Sequence, residues 1–203
     1  MPSAARPLRL LVYDRTCAAL TTSWQVGGAL YRALGRLDQS RGVSTWDEAL
    51  EWLATVRPSE RVAEIQYWGH GQWGRVLAAG APLDLGALEP GHPWEPLLAR
   101  IRARLSGPEA LWWFRTCETF GRAEGHAFAR GWTSFFGCRA AGHTYVIGPL
   151  QSGLHSLRPG GVPDWPLTEG LSRKDPDAQV AAWSSWRAPN TITCLHGRVP
   201  AGF

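Results

Sequence analysis

The sequence predicts an α/β fold, a three-layer α/β/α sandwich around a mainly parallel sheet, on three observations. Short apolar runs alternate along the chain with stretches of helical periodicity. The runs at 8–13, 62–68 and 110–116 are apolar almost throughout, the pattern of strands covered on both faces. Asp14, His70 and Cys117 each fall where such a run ends, and sites in parallel sheets form at strand ends.

Leu8 to Tyr13 reads as the first strand, ending at Asp14. Residues 22–37 carry Trp24, Ala29, Leu30, Ala33, Leu34 and Leu37 at helical spacing, although Gly27 and Gly28 weaken the start. Thr45 is placed to cap a helix over 46–56, with Glu48 completing a capping box and Pro58 just beyond the end. Val62 to Trp68 is the second strand and runs directly into Gly69-His70-Gly71. Glycines and prolines break residues 72–92 into a hairpin or an irregular excursion. A helix follows over 94–105, with Leu97, Leu98, Ile101 and Leu105 on one face. The aromatic third strand, 110–116, leads into Cys117; a helix at about 123–136 and a fourth strand at 140–147 come next. From Gly148 the chain is rich in Gly, Pro and Trp, which predicts long ordered loops, a short helix near 176–186 and a last strand over 191–195.

At 203 residues and 44% hydrophobic the chain suits one domain, its core over about 8–150 and a loop-rich elaboration over 151–203. The formal net charge is +4, yet all the basic residues except Lys174 are arginines. They are scattered, a bias that fits a GC-rich genome better than a selected surface, and the densest group, Arg100, Arg102 and Arg104, reads as the solvated face of a helix. Phosphate binding needs a contiguous basic patch, so no nucleic-acid partner is expected. The apolar run at Leu8–Val12 is too brief for a secretory core or a membrane span, so the expected location is cytoplasmic, without a membrane partner and with reduced thiols. Cys17, Cys117, Cys138 and Cys194 show no CxxC pair, so neither a disulfide framework nor a metal site is expected.

A cysteine nucleophile needs a base to take its proton and donors to hold the oxyanion formed when it attacks a carbonyl. Parallel neighbouring strands can supply both from residues distant in sequence. His70 lies between two glycines, which allow a sharp turn and leave the Gly71 amide free to face a substrate. Cys117, 47 residues later, sits between a strand and the next helix, whose N-terminal dipole, with the Cys117 amide, would favour a negative sulfur.

Ile65-Gln66-Tyr67-Trp68-Gly69-His70-Gly71 and Phe114-Arg115-Thr116-Cys117-Glu118-Thr119-Phe120-Gly121 together resemble the paired signature of the caspase-like clan of cysteine peptidases. They are most similar to its bacterial CHAT type, in which a hydrophobic run ends in His-Gly and a later one in Ala-Cys-Glu-Thr-Gly. Here Thr116 stands where that pattern has alanine, and Phe120 is an extra residue before the glycine. The resemblance covers roughly residues 8–150. It implies the three-layer fold and a cysteine endopeptidase acting through a thioester without a cofactor. His70 and Cys117 would form the catalytic dyad, and the amides of Gly71 and Cys117 the oxyanion hole. It also implies a protein or peptide substrate and leaves room for a regulatory protein partner.

In related caspase-like enzymes the residue two before the cysteine lines the pocket for the side chain preceding the scissile bond. That residue here is Arg115, on the same side of its strand as Cys117. An arginine there favours an acidic substrate residue. Asp14 and Glu118 oppose this: either would neutralise Arg115 and admit a basic residue, or bind Arg115 and remove it from the site. The reading leans to an acidic residue.

Two other readings compete. Gly69-His70-Gly71-Gln72-Trp73-Gly74 fits a G-x-G-x-x-G dinucleotide fingerprint, but it follows the second strand, and the segment after it suits no long helix. A catalytically inactive caspase-fold interaction module would use Trp165, Trp183 and Trp186 as a partner interface. Of the remaining histidines, His126 and His143 read as structural, and His92, His155 and His196 as loop residues without a catalytic role. Cys17, placed after the first strand, falls towards the site but has no histidine motif of its own, whereas Cys138 and Cys194 read as packing residues.

Overall fold

The computed structural model describes residues 6–172 and 180–203. In chain order these form β1 (Leu8–Asp14), α1 (Ala18–Ala33), β2 (Gln39–Val43), α2 (Trp46–Thr55), β3 (Val62–Trp68), β4 (His70–Gln72), β5 (Arg75–Ala78), β6 (Ala81–Leu83), α3 (Glu95–Arg104), β7 (Leu111–Arg115), α4 (Arg122–Phe136), β8 (Arg139–His143), β9 (Leu150–Gln151), β10 (Leu154–Leu157) and β11 (Ile192–Thr193). The fold is mixed α/β. Its central sheet runs β10-β8-β7-β3-β1-β2, parallel except for the antiparallel edge strand β10. That sixth strand comes from beyond residue 150.

Side-chain parity divides the sheet. Leu10, Val12, Ile65, Tyr67, Trp112 and Phe114 pack with Leu50 of α2, Ile101 of α3 and Trp132 of α4 in the main core. The opposite residues, Leu11 and Trp68, meet Tyr31 of α1. Beside them, Leu111, Trp113 and Ala141 are covered by Leu154, Ile192, Val199 and Phe203 rather than by a helix. One face is thus closed by three helices, the other by α1 together with the C-terminal segment.

Local chemistry sets the element ends. The Glu48 N–H donates to Thr45 Oγ1 at 3.2 Å, as a capped helix requires, while the Glu48 carboxylate accepts from the Ser44 N–H instead of completing the box. Helix α1 starts four residues before its expected start and tolerates its paired glycines because a Cβ at Gly28 would run into Leu11. Strand β2 carries no apolar pattern to predict it: Gln-Ser-Arg-Gly-Val is polar, as an edge strand can be. The expected fourth strand stops at His143, and Val146 instead forms an isolated bridge to Trp183. Residues 72–92 hold the hairpin β5–β6 and a 3-10 turn at Leu85–Leu88. The expected helix near 176–186 lies partly outside the described residues, and 180–186 within them is extended or turn, not helix.

Arg104 departs from the solvated face read from the sequence. It is buried, and its guanidinium donates to the carbonyls of Leu53 (2.6 Å), Val56 (2.5 Å) and Arg57 (3.0 Å), capping the C-terminal end of α2. Arg104→Met should cost about 2–3 kcal/mol by leaving these acceptors unpaired, read as a lower denaturant midpoint with an unchanged slope.

Candidate functional site

The site grows from the register of the central strands. Trp68 of β3 lies beside Arg115 of β7, so the chain leaves the sheet at neighbouring points, with His70 and Cys117 each two residues further on. After Gly69 the chain turns into the meander β4-β5-β6, a separate sheet folded over the segment that follows Cys117. The Gly74 N–H donates to the Thr119 carbonyl at 3.0 Å. A Cβ at Gly71 would collide with Thr119 Oγ1, the Cys117 carbonyl and Thr116, so the two segments approach as closely as glycine allows. The hairpin also displaces any helix from residues 69–74, which leaves the dinucleotide reading without the helix N-terminus it needs.

His70 is exposed, with its ring edge-on to Trp24 of α1 (centroids 5.8 Å apart), an indole the sequence assigned only to helix packing. Cys117 is half-buried. Its thiol faces the Ile147 carbonyl at 4.0 Å. Burial pushes the thiol above its usual range, and the neighbouring Glu118 pushes the same way. The expected helix-dipole assistance is not in place, because α4 begins only at Arg122, with Gly121 as its N-cap.

Beyond Cys117 the Glu118 N–H donates to the Tyr145 carbonyl (2.9 Å), the Phe120 N–H to the His143 carbonyl (2.9 Å), and Val146 pairs with Ala182 and Ser184. Tyr145 to Ile147 therefore form one wall of the site, and exposed Trp183 is bridged to Val146 on its far side. Sequence reasoning missed this wall because it placed 145–147 inside the fourth strand, which ends at His143. The cluster of tryptophans after residue 160 was the available signal. Trp183 and Trp186 are indeed exposed (74% and 72%), whereas Trp165 is buried against Phe120.

Two of the expected substrate-binding residues are committed elsewhere. Arg115 is 4% exposed and spends all five N–H donors internally. Nε and Nη2 donate to Gln151 Oε1 (3.1 and 2.7 Å), Nη2 also to the Cys194 carbonyl (3.0 Å), and Nη1 to Tyr31 Oη (3.0 Å) and the His196 carbonyl (3.1 Å). It binds neither carboxylate: Asp14, on the other face of the sheet, accepts from the Thr16 N–H and Oγ1 (2.8 and 2.7 Å) and from the Ala79 N–H (3.3 Å). Of these three expected residues, Glu118 is the one whose side chain makes no hydrogen bond to the described residues, and burial raises its protonation range.

His126 and His155 gather on Trp165, with ring centroids 4.9 and 4.5 Å from it. Cys138 is buried, its thiol pushed up to about 12, while Cys194 is exposed rather than packed. His155 belongs to β10 rather than a loop and meets Glu169 at 2.6 Å. Family models, curated proteins and solved structures yield no match to this chain. Among the described residues no helix is long and apolar enough to cross a membrane.

Arg115→Met should destabilise the fold by about 3 kcal/mol or more by leaving buried acceptors on three segments unpaired, seen as a lowered melting temperature. His143 supplies a pH dependence. It is fully buried, its Nδ1 lies 3.1 Å from the Ser152 carbonyl, and burial together with nearby Arg115 holds its protonation down to about 3 against 6.5 when free. Between those values the unfolded chain takes up a proton the folded one refuses, so stability falls as pH drops from about 6.5 towards 3. The urea midpoint should track that slope, and His143→Gln should flatten it.

Proposed function

We propose that the protein is a caspase-like cysteine endopeptidase that hydrolyses peptide bonds with the His70–Cys117 dyad. The observation that carries this reading is the paired exit of His70 and Cys117 from adjacent parallel strands, with Gly71 packed against the Cys117 carbonyl. The caspase-like motif pair fits the same two strand ends.

The thiol at rest is held protonated, so the dyad is not a standing ion pair. His70 acts as the base when substrate arrives: it takes the thiol proton as Sγ bonds to the scissile carbonyl carbon. The oxygen becomes an anion facing the Gly71 and Cys117 amides. In a two-residue hairpin the pair flanking the turn, here Gln72 and Arg75, exchanges hydrogen bonds, and the next pair, Gly71 and Val76, does not. The Gly71 N–H is thereby left off the ladder as a donor for the anion. Collapse expels the amine, which takes its proton from His70 and leaves a thioester. Water then attacks with His70 again as base, releasing the carboxylate and restoring the thiol.

A raised thiol is also what an inactive interaction module would carry, and exposed Trp183 and Trp186 would suit its partner. One experiment separates the two: cleavage of a peptide library by the purified chain. Cys117→Ala and His70→Ala should each lose about 10³-fold or more in rate while keeping their melting temperature. Full hydrolysis by Cys117→Ala would overturn the peptidase reading.

A further inference from the structure

Charge at the site points to the substrate, an inference that rests on the peptidase reading above. The cation that sequence reasoning assigned to the pocket is out of a substrate's reach, since Arg115 is enclosed and every donor is used. Asp14 is likewise buried and bonded. Of the cations nearest in sequence after the site, Arg122 stacks on Trp73 at 4.5 Å and lies 3.9 Å from Glu124. One acid remains unspent beside the dyad, Glu118.

Its placement is specific. Glu118 follows Cys117 directly, in the left-handed region at φ 44°, which residues other than Gly, Asn and Asp adopt at a cost of about 1 kcal/mol. Two bonds hold the backbone there, from the Glu118 N–H to the Tyr145 carbonyl and from the Gly121 N–H to the Glu118 carbonyl, both 2.9 Å. The carboxyl is half-buried, and no donor of the described residues meets it. A half-desolvated carboxylate with no donor of its own gains from a cation that arrives to complete it.

We propose that Glu118 is the specificity-determining residue of the site and receives a cationic side chain of the substrate, arginine or lysine, beside the scissile bond. The sign is opposite to the acidic preference read from Arg115 in the sequence. The same geometry has a second consequence. The Glu118 charge disfavours the adjacent thiolate, so a bound cation that neutralises it eases the proton's departure to His70. Recognition of the side chain then speeds the bond-forming step as well as binding.

The test uses three peptidyl chloromethyl ketones that differ only in Arg, Leu or Asp next to the reactive group, with iodoacetamide as a small neutral probe. Modification of Cys117 is followed by mass spectrometry at one neutral pH. Wild type should react with the Arg probe about tenfold or more faster than with the Leu probe, the effect of one charge-assisted bond, and slowest with the Asp probe. In Glu118→Gln the Arg and Leu rates should converge, while iodoacetamide labelling becomes faster than in wild type. Glu118→Asp, which keeps the charge, should keep an Arg preference. A structural role for Glu118 would slow all probes together and so would overturn the proposal. So would a wild type that prefers the Leu or Asp probe, or a Glu118→Gln that still prefers Arg. Labelling of Cys117 by iodoacetamide but by no peptidyl probe would instead remove the peptidase reading itself, and this proposal with it.

Discussion

The buried guanidinium of Arg115 is the interaction on which much of the remaining structure depends. Placing a full charge inside a protein costs several kcal/mol unless every donor is satisfied, and none of its hydrogen bonds goes to a carboxylate. The molecule meets the cost with a ring of neutral acceptors: one amide oxygen, one phenol and two backbone carbonyls. Rings close the remaining sides, with the guanidinium over Trp113 at 4.5 Å and Trp68 at 5.2 Å. Those partners come from α1, β9 and the C-terminal stretch. One side chain therefore fastens α1 and the helix-free stretches around Gln151 and Cys194–His196 to the sheet.

The position of that anchor matters for the site. Arg115 is two residues before Cys117, and Trp68, on which it stacks, is two before His70. Behind Trp68 a polar line continues along the same face of β3: its indole N–H donates to Gln66, Gln66 to Glu64, and Glu64 accepts from Arg9. Both strand ends are thus tied at the last paired residue. Past that point the chain's path is set by the contact of the β4–β5 hairpin with the Thr116–Thr119 turn. A rigid platform with a close glycine contact above it suits chemistry that needs two groups from different strands in register.

Elements with an apolar pattern of their own could be read from the sequence, and those ordered by remote hydrogen bonds could not. Strands β1, β3 and β7 announced themselves because both of their faces are buried, and α2 because its cap residues are local. The polar edge strand β2 has neither signal. Arg115 ends β7, yet nothing near it in sequence indicates that its acceptors lie at Tyr31, Gln151, Cys194 and His196. The stretch after Gly148 is held mainly by backbone carbonyls and turns, which have no periodicity. The same gap concealed the bridge that Trp183 makes to Val146.

The permanent positive charge lies beneath the site, shielded by rings and by the neutral imidazole of His143; the negative charge lies beside the sulfur at Glu118. Neither stabilises a thiolate at rest, since the cation is spent on its acceptors and the anion repels. Oxidation and disulfide exchange both begin from the thiolate, so a thiol held protonated resists them, and half-burial restricts access further. A pre-ionised cysteine would react faster with any passing electrophile but could not distinguish among them. Here burial is the main cause that keeps the Cys117 thiol protonated and the Glu118 charge one residue away adds to it, so on the reading proposed above a substrate cation that neutralised Glu118 would lift only that added part.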